Sequence, residues 1–186
     1  MTKTIPAGSL RHVDQNIETA YAHFYGASLQ KQIGQAMTGS VEYTGSSGRK
    51  LYDLADPNKV GAGLVYLGTG SATTRPNAQY GCIGCAFNTR GNRGRSQYHG
   101  VTFGLDVRQL ADTGLQVSAK YTVSSAHDNL STTFSDDGNN NFNLGYLDAF
   151  DPMLDWGYAQ FDVRHRLALS GVWVLPFGRG ASGVTK

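Results

Sequence analysis

Few residues in this chain stand at spacings that chemistry requires. Cys82-Ile-Gly-Cys85 is a CxxC pair. Zinc usually needs a second such pair or two suitably spaced His, and the nearest His, His99, opens a strand-like segment. A redox pair of the thioredoxin kind needs a βα context, which is missing. The pair therefore reads first as a local disulfide stapling a Gly-rich turn. Incidental thiols, or a metal or redox pair, are the alternatives. Asp136, Asp137 and Asn139 to Asn141 have the oxygen-rich character of a cation loop. They lack the EF-hand spacing and its distal Glu, and read as a solvated loop. His127-Asp128 would need a nucleophile that the sequence does not offer. With no supported triad, nucleotide loop or carboxylate pair, neither enzymatic activity nor a metal or cofactor is expected.

Asp162, Arg164 and Arg166 recur every second residue, which on a strand places them on one face, successive positions about 7 Å apart. Such a row either meets an anionic ligand or forms a ladder of ion pairs with neighbouring strands, and the ladder is the preferred reading. His165 points the other way, toward an interfacial rim. The densest basic stretch, Arg90-Gly-Asn-Arg-Gly-Arg95, is Gly-rich and has no interleaved aromatics. It reads as a solvated loop, with a nucleic-acid or phosphate role as the alternative. A net charge of +2 is too weak to argue for nucleic acid.

The elements that would position these residues are strands. Leu115, Val117, Ala119, Tyr121 and Val123 alternate with Gln116, Ser118, Lys120, Thr122 and Ser124. Similar alternation is expected over about 19–32, 37–46, 98–110 and 161–175. Short turns near 33–36 and 111–114 alternate with long segments near 47–97 and 125–157, which are expected to be loops. The composition agrees: 24 Gly, 10 Tyr, 8 Phe and only 16% charged residues among 186 suit an all-β chain better than a helical one. Mean hydropathy is −0.33. No apolar run reaches the ~18 residues of a transmembrane helix, which does not bear on membrane barrels. Residues 1–7 have no apolar signal-peptide region. The chain is thus expected to be either cytoplasmic or the interior of a longer exported protein.

Strands with one apolar and one polar face fit two architectures. One is a soluble or cell-surface β-sandwich binding module with the apolar face inward. The other is a membrane barrel with that face toward lipid. Strands of about 10 to 15 residues exceed the usual globular length of about 5–6 and satisfy the ~9–11 needed to cross a membrane. The alternation of short turns with long loops is the outer-membrane arrangement.

Three segments carry a family resemblance: Val41-Glu-Tyr-Thr-Gly-Ser-Ser-Gly-Arg-Lys-Leu-Tyr-Asp53, Gly114-Leu-Gln-Val-Ser-Ala-Lys-Tyr-Thr-Val-Ser124, and Phe161-Asp-Val-Arg-His-Arg-Leu-Ala-Leu-Ser-Gly-Val-Trp-Val-Leu-Pro-Phe-Gly178. In this order they resemble the barrel of TonB-dependent outer-membrane receptors of the Oar-like branch, the third being the most specific. The resemblance spans roughly residues 10 to 180. It implies a barrel of about 22 strands closed by a plug, taking up a scarce small ligand with energy from the TonB complex. This chain would be a segment of that barrel with about five strands and no plug.

The sequence therefore predicts an all-β chain of antiparallel up-and-down strands, forming part of a transmembrane β-barrel over residues 1–186 in a Gram-negative outer membrane. Glu42, Asp106, Arg108, Lys120, Asp162, Arg164 and Arg166 are expected to face the lumen. Val117, Tyr121, Leu167, Leu169 and Trp173 are expected to face lipid. Tyr21, Tyr25, Tyr43, Trp156 and Tyr158 are expected to join Tyr121 and Trp173 in aromatic girdles at the strand ends. Outer-membrane lipid and an unidentified small ligand are the expected partners. TonB would act only through a plug outside this chain, and no nucleic acid is expected.

Overall fold

The computed structural model describes residues 10–55, 87–108, 113–131, 146, 148 and 150–175. These contain β1 (Leu10–Val13), β2 (Tyr21–Ile33), β3 (Met37–Ala55), β4 (Phe87–Val107), β5 (Leu115–Asp128), β6 (Gly157–Tyr158) and β7 (His165–Trp173). All seven belong to one sheet in the order β2-β3-β4-β5-β6, with β7 also on β5 and β1 on β4. β6 and β7 both run antiparallel to β5, pairing with its 127–128 and 115–123 stretches respectively. β1 pairs in parallel with the start of β4, a short addition outside the expected up-and-down pattern.

The five expected strands are present as β2, β3, β4, β5 and β7, but the strands claim residues assigned to loops. β3 continues to Ala55 and β4 starts at Phe87, so both ends of the expected 47–97 loop are strand. β5 runs to Asp128, and β6 falls at the end of the expected 125–157 loop. In these extensions backbone pairing holds the strands while side-chain alternation is weak. Glycine permits the closest approach: a Cβ on Gly94 would lie 2.8 Å from the Leu51 carbonyl oxygen. The segment Arg90 to Arg95, expected as a loop, is part of β4. Cys82, Cys85 and the 136–141 run lie outside the described residues.

Two turns need glycine. Gly34 (φ 67°) reverses the chain between β2 and β3, and Gly114 (φ 71°) leads into β5. Both angles lie in the left-handed region that a Cβ disfavours.

The chain divides into two compact units. Unit 1 comprises Met1–Phe24, Ser46–Tyr98 and Ala126–Asp162; unit 2 comprises Tyr25–Gly45, His99–Ser125 and Val163–Lys186. Unit 1 holds a small core in which Ala55, Ala126, Tyr146 and Ala159 are buried beside the polar Asp53, Asp128 and Asn129. Among the described residues of unit 2, no hydrophobic side chain is buried. Its segments of β3 (37–45), β4 (99–107) and β5 (115–125), and the 9 residues of β7, match the ~9–11 residues of a membrane-crossing strand.

Candidate functional site: a two-faced wall and a basic cleft

The register of β5 on β7 fixes the two faces of unit 2, because residues opposed in an antiparallel ladder point the same way. Leu115 opposes Trp173, Ala119 opposes Leu169, Tyr121 opposes Leu167, and Val123 opposes His165. The alternate set pairs Ser118 with Ser170, Lys120 with Ala168, and Thr122 with Arg166. One face is therefore apolar and aromatic, and the other is polar with Ala168 and Val172 as exceptions.

Side-chain contacts carry both faces across the sheet. On the polar face the hydroxyls of Thr102 and Thr122 lie 2.9 Å apart, and Ser40 fills the space beside Gly104. Period two then brings Glu42, Asp106, Lys120 and Arg166 onto this face. On the apolar face Tyr43 Oη lies 2.7 Å from His99 Nδ1, and Tyr121 Oη lies 2.9 Å from His165 Nδ1. Tyr25 packs beside the first pair, its ring centroid 6.3 Å from that of Tyr43 and 6.4 Å from that of His99. At the opposite end of β7, Trp173 Nε1 donates to the Thr113 carbonyl at 3.1 Å. Aromatic groups with polar tips thus lie at both ends of the apolar face of β7, as in an interfacial girdle. Between them Leu167 is 64% and Leu169 68% exposed.

The residues expected to line a lumen do not all lie together. Glu42, Asp106, Lys120 and Arg166 share the polar face. Arg108 is just beyond β4, where its backbone N–H donates to the Ala36 carbonyl at 2.8 Å. Asp162 and Arg164 precede β7, so the expected ladder of three charges along one strand does not form. The Asp162 carboxylate instead accepts the backbone N–H of Ala126 at 2.7 Å, and the Arg164 carbonyl accepts that of Ser124 at 3.0 Å. Both bonds satisfy donors of β5 at the place where β7 leaves off. Of the expected girdle residues, Tyr21, Trp156 and Tyr158 belong to unit 1. There Trp156 and Tyr158 pack on the His127 ring, with centroids 6.1 and 4.2 Å away. Asp128, next to His127, accepts the Ser131 hydroxyl at 2.8 Å.

Unit 1 carries a site that periodicity did not reveal. A cleft of about 430 Å³ is lined by Arg49, Lys50, Arg93 and Arg95, with Glu18 as its carboxylate. Tyr21 and Met153 supply apolar wall, and Asn92 an amide. Two of the cations have fixed anionic partners. Lys50, whose backbone is left-handed at φ 53°, pairs with Glu18. Arg93 Nε donates to Asp53 Oδ2 at 3.0 Å, and its guanidinium lies 5.3 Å over the Tyr146 ring. The Asp53 side chain is fully buried. Burial, and then the Asp53 charge, push the Tyr146 phenol above its ordinary range.

Buried Asn129 bonds to three residues that line the cleft. Its Oδ1 accepts the Arg95 backbone N–H at 2.7 Å, and its Nδ2 donates to the carbonyls of Arg93 and Pro152 at 3.3 and 3.2 Å. A buried amide bonded on both sides holds this part of β4 in place, and with it the backbone of Arg93 and Arg95. The sequence signal for this site was the run Arg90 to Arg95. Its glycines hid the strand, and nothing in the sequence placed Arg49 and Lys50 beside it.

A single-layered sheet with one exposed apolar face, girdled by tyrosine and tryptophan and backed by a polar face, is the wall of a membrane β-barrel. A sandwich would need a second sheet over Leu167, Leu169 and Trp173, and the described residues form one sheet only. The family comparison gives the same class: residues 1–186 match the family described as an outer membrane beta barrel domain. The chain belongs to that family, and its place is the outer membrane. No curated protein and no solved structure matches it.

Proposed function

We propose that this chain is a wall segment of a TonB-dependent receptor-like transporter of the outer membrane, which takes up a scarce small ligand. The observation that carries the reading is the polar face of unit 2. Glu42, Asp106, Lys120 and Arg166 occupy a face that also bears Ser40, Thr102, Thr122 and Ser170, a composition for a wet or plug-facing lumen. The motif residues Phe161-Asp162, Arg164-His165-Arg166 and Leu175 to Gly178 support the receptor branch in particular. In this reading unit 2 spans the bilayer. The long connections near 47–97 and 125–157 make the first ligand contacts. The chain is a wall and binding element, with no catalytic part and no nucleic-acid partner, and TonB acts through a plug beyond these residues.

Growth phenotypes test this. A strain lacking the gene should grow poorly in one medium limited for a single nutrient, and loss of TonB should reproduce that defect. A defect that a strain lacking TonB does not share would point to a passive pore.

A further inference from the structure

We infer that the cleft of unit 1 is a binding site for a phosphate-bearing ligand. This inference rests on the transporter reading, and it names the chemistry of the ligand. Four of the side chains lining the cleft are cationic and one is anionic. Lys50 is taken up by Glu18, and Arg93 is directed by Asp53 and Tyr146. Arg49 and Arg95 are exposed and pair with no carboxylate among the described residues. Two guanidinium groups present planar forks of donors that match phosphate oxygens two at a time. A monocarboxylate would leave much of this charge uncompensated, whereas a phosphate monoester or a diphosphate brings about two charges or more.

The site is built as well as charged. Asn129 fixes the strand that bears Arg93 and Arg95, and buried Asp53 fixes the direction of Arg93. Lys50 holds a left-handed conformation that non-glycine residues rarely adopt, of the kind that collects at functional sites. Two sources could supply the phosphate: a soluble phosphorylated solute that is the cargo, or the phosphorylated head group of a membrane glycolipid.

The test is calorimetric titration of the whole protein, extracted from outer membranes in detergent, with pyrophosphate. Saturable binding is expected, weakened about tenfold by Arg49→Gln and by Arg95→Gln. Arg166→Gln removes the same charge from the polar face of unit 2 and should leave binding unchanged. Glu18→Gln releases Lys50 and should tighten binding severalfold. Absence of saturation, or an equal loss from Arg166→Gln, would overturn the site. Micelles doped with a bisphosphorylated glycolipid separate the sources. Displacement of pyrophosphate by the doped micelles assigns the site to lipid, and no displacement assigns it to a free solute. Failure to bind alongside TonB-dependent growth would remove this inference alone. Binding without TonB dependence would remove the transporter reading and leave the site.

Discussion

Tyr121 Oη lies 2.9 Å from His165 Nδ1, the two rings stacked with centroids 6.1 Å apart and an interplanar angle of 13°. Tyr43 and His99 repeat the arrangement, at 2.7 Å and 18°. Each pair joins neighbouring strands, β5 with β7 and β3 with β4. Each also gives a polar tip to a face that is otherwise apolar, as residues at a membrane–water interface require.

The pair should therefore couple energetically. In urea unfolding of the protein in lipid vesicles, Tyr121→Phe should cost about 1 kcal/mol. The double-mutant cycle with His165→Leu should give a coupling of about 0.5–1.5 kcal/mol. Additive effects would mean that the contact contributes nothing.

Opposite faces should respond oppositely to charge. Leu169→Arg, in the middle of the apolar face, should destabilise the protein in vesicles by about 2–4 kcal/mol. Ser170→Arg, its sequence neighbour on the polar face and opposite the neutral Ser118, should cost well under about 1 kcal/mol. Both variants place Arg on the same strand and are read in the same assay.

The two left-handed glycines should differ in tolerance. Both pay the conformational strain of a Cβ, about 1–2 kcal/mol. At Gly114 the new Cβ also meets the Val174 carbonyl oxygen at 2.9 Å, whereas at Gly34 it meets nothing within 4 Å. Gly114→Ala should lower the unfolding midpoint further than Gly34→Ala.

Alkaline pH should weaken unit 1 through Tyr146. Its phenol is raised above the ordinary value near 10 by burial and by Asp53. The unfolded chain therefore gives up this proton first. The stability is fully present below about pH 10 and is lost as the pH rises from there toward the raised folded-state value. Tyr146→Phe should flatten that part of the pH profile, and an unchanged profile would contradict the account.

Much of this was legible in the sequence. Strong alternation over Leu115 to Ser124 and His165 to Trp173 located β5 and β7 and sorted their residues onto the correct faces. The far halves of β3 and β4 were not legible. There glycine and polar residues interrupt the period, and the strands are held by backbone ladders that side-chain patterns do not report. The Asp162 ladder failed for a related reason. Period two places three charges on one face only if the strand is continuous, and Asp162 is instead used as an acceptor for the Ala126 N–H. The cleft depends on non-local neighbours, Arg49 and Lys50 of β3 beside Arg93 and Arg95 of β4, which no local window can see. Tyr43 with His99 and Tyr121 with His165 escaped notice for the same reason, being 56 and 44 residues apart.

In a barrel wall the face bearing Leu167 and Leu169 should meet lipid, and the face bearing Ala168 and Ser170 should meet water. The most direct measurement is cysteine labelling in intact outer-membrane vesicles by a water-soluble maleimide. It uses single substitutions Leu167→Cys, Ala168→Cys, Leu169→Cys and Ser170→Cys in a chain whose Cys82 and Cys85 are replaced by Ser. Labelling should occur at 168 and 170 and should fail at 167 and 169 until the membrane is dissolved and the protein unfolded. Equal labelling at all four positions, or the reverse alternation, would contradict the account.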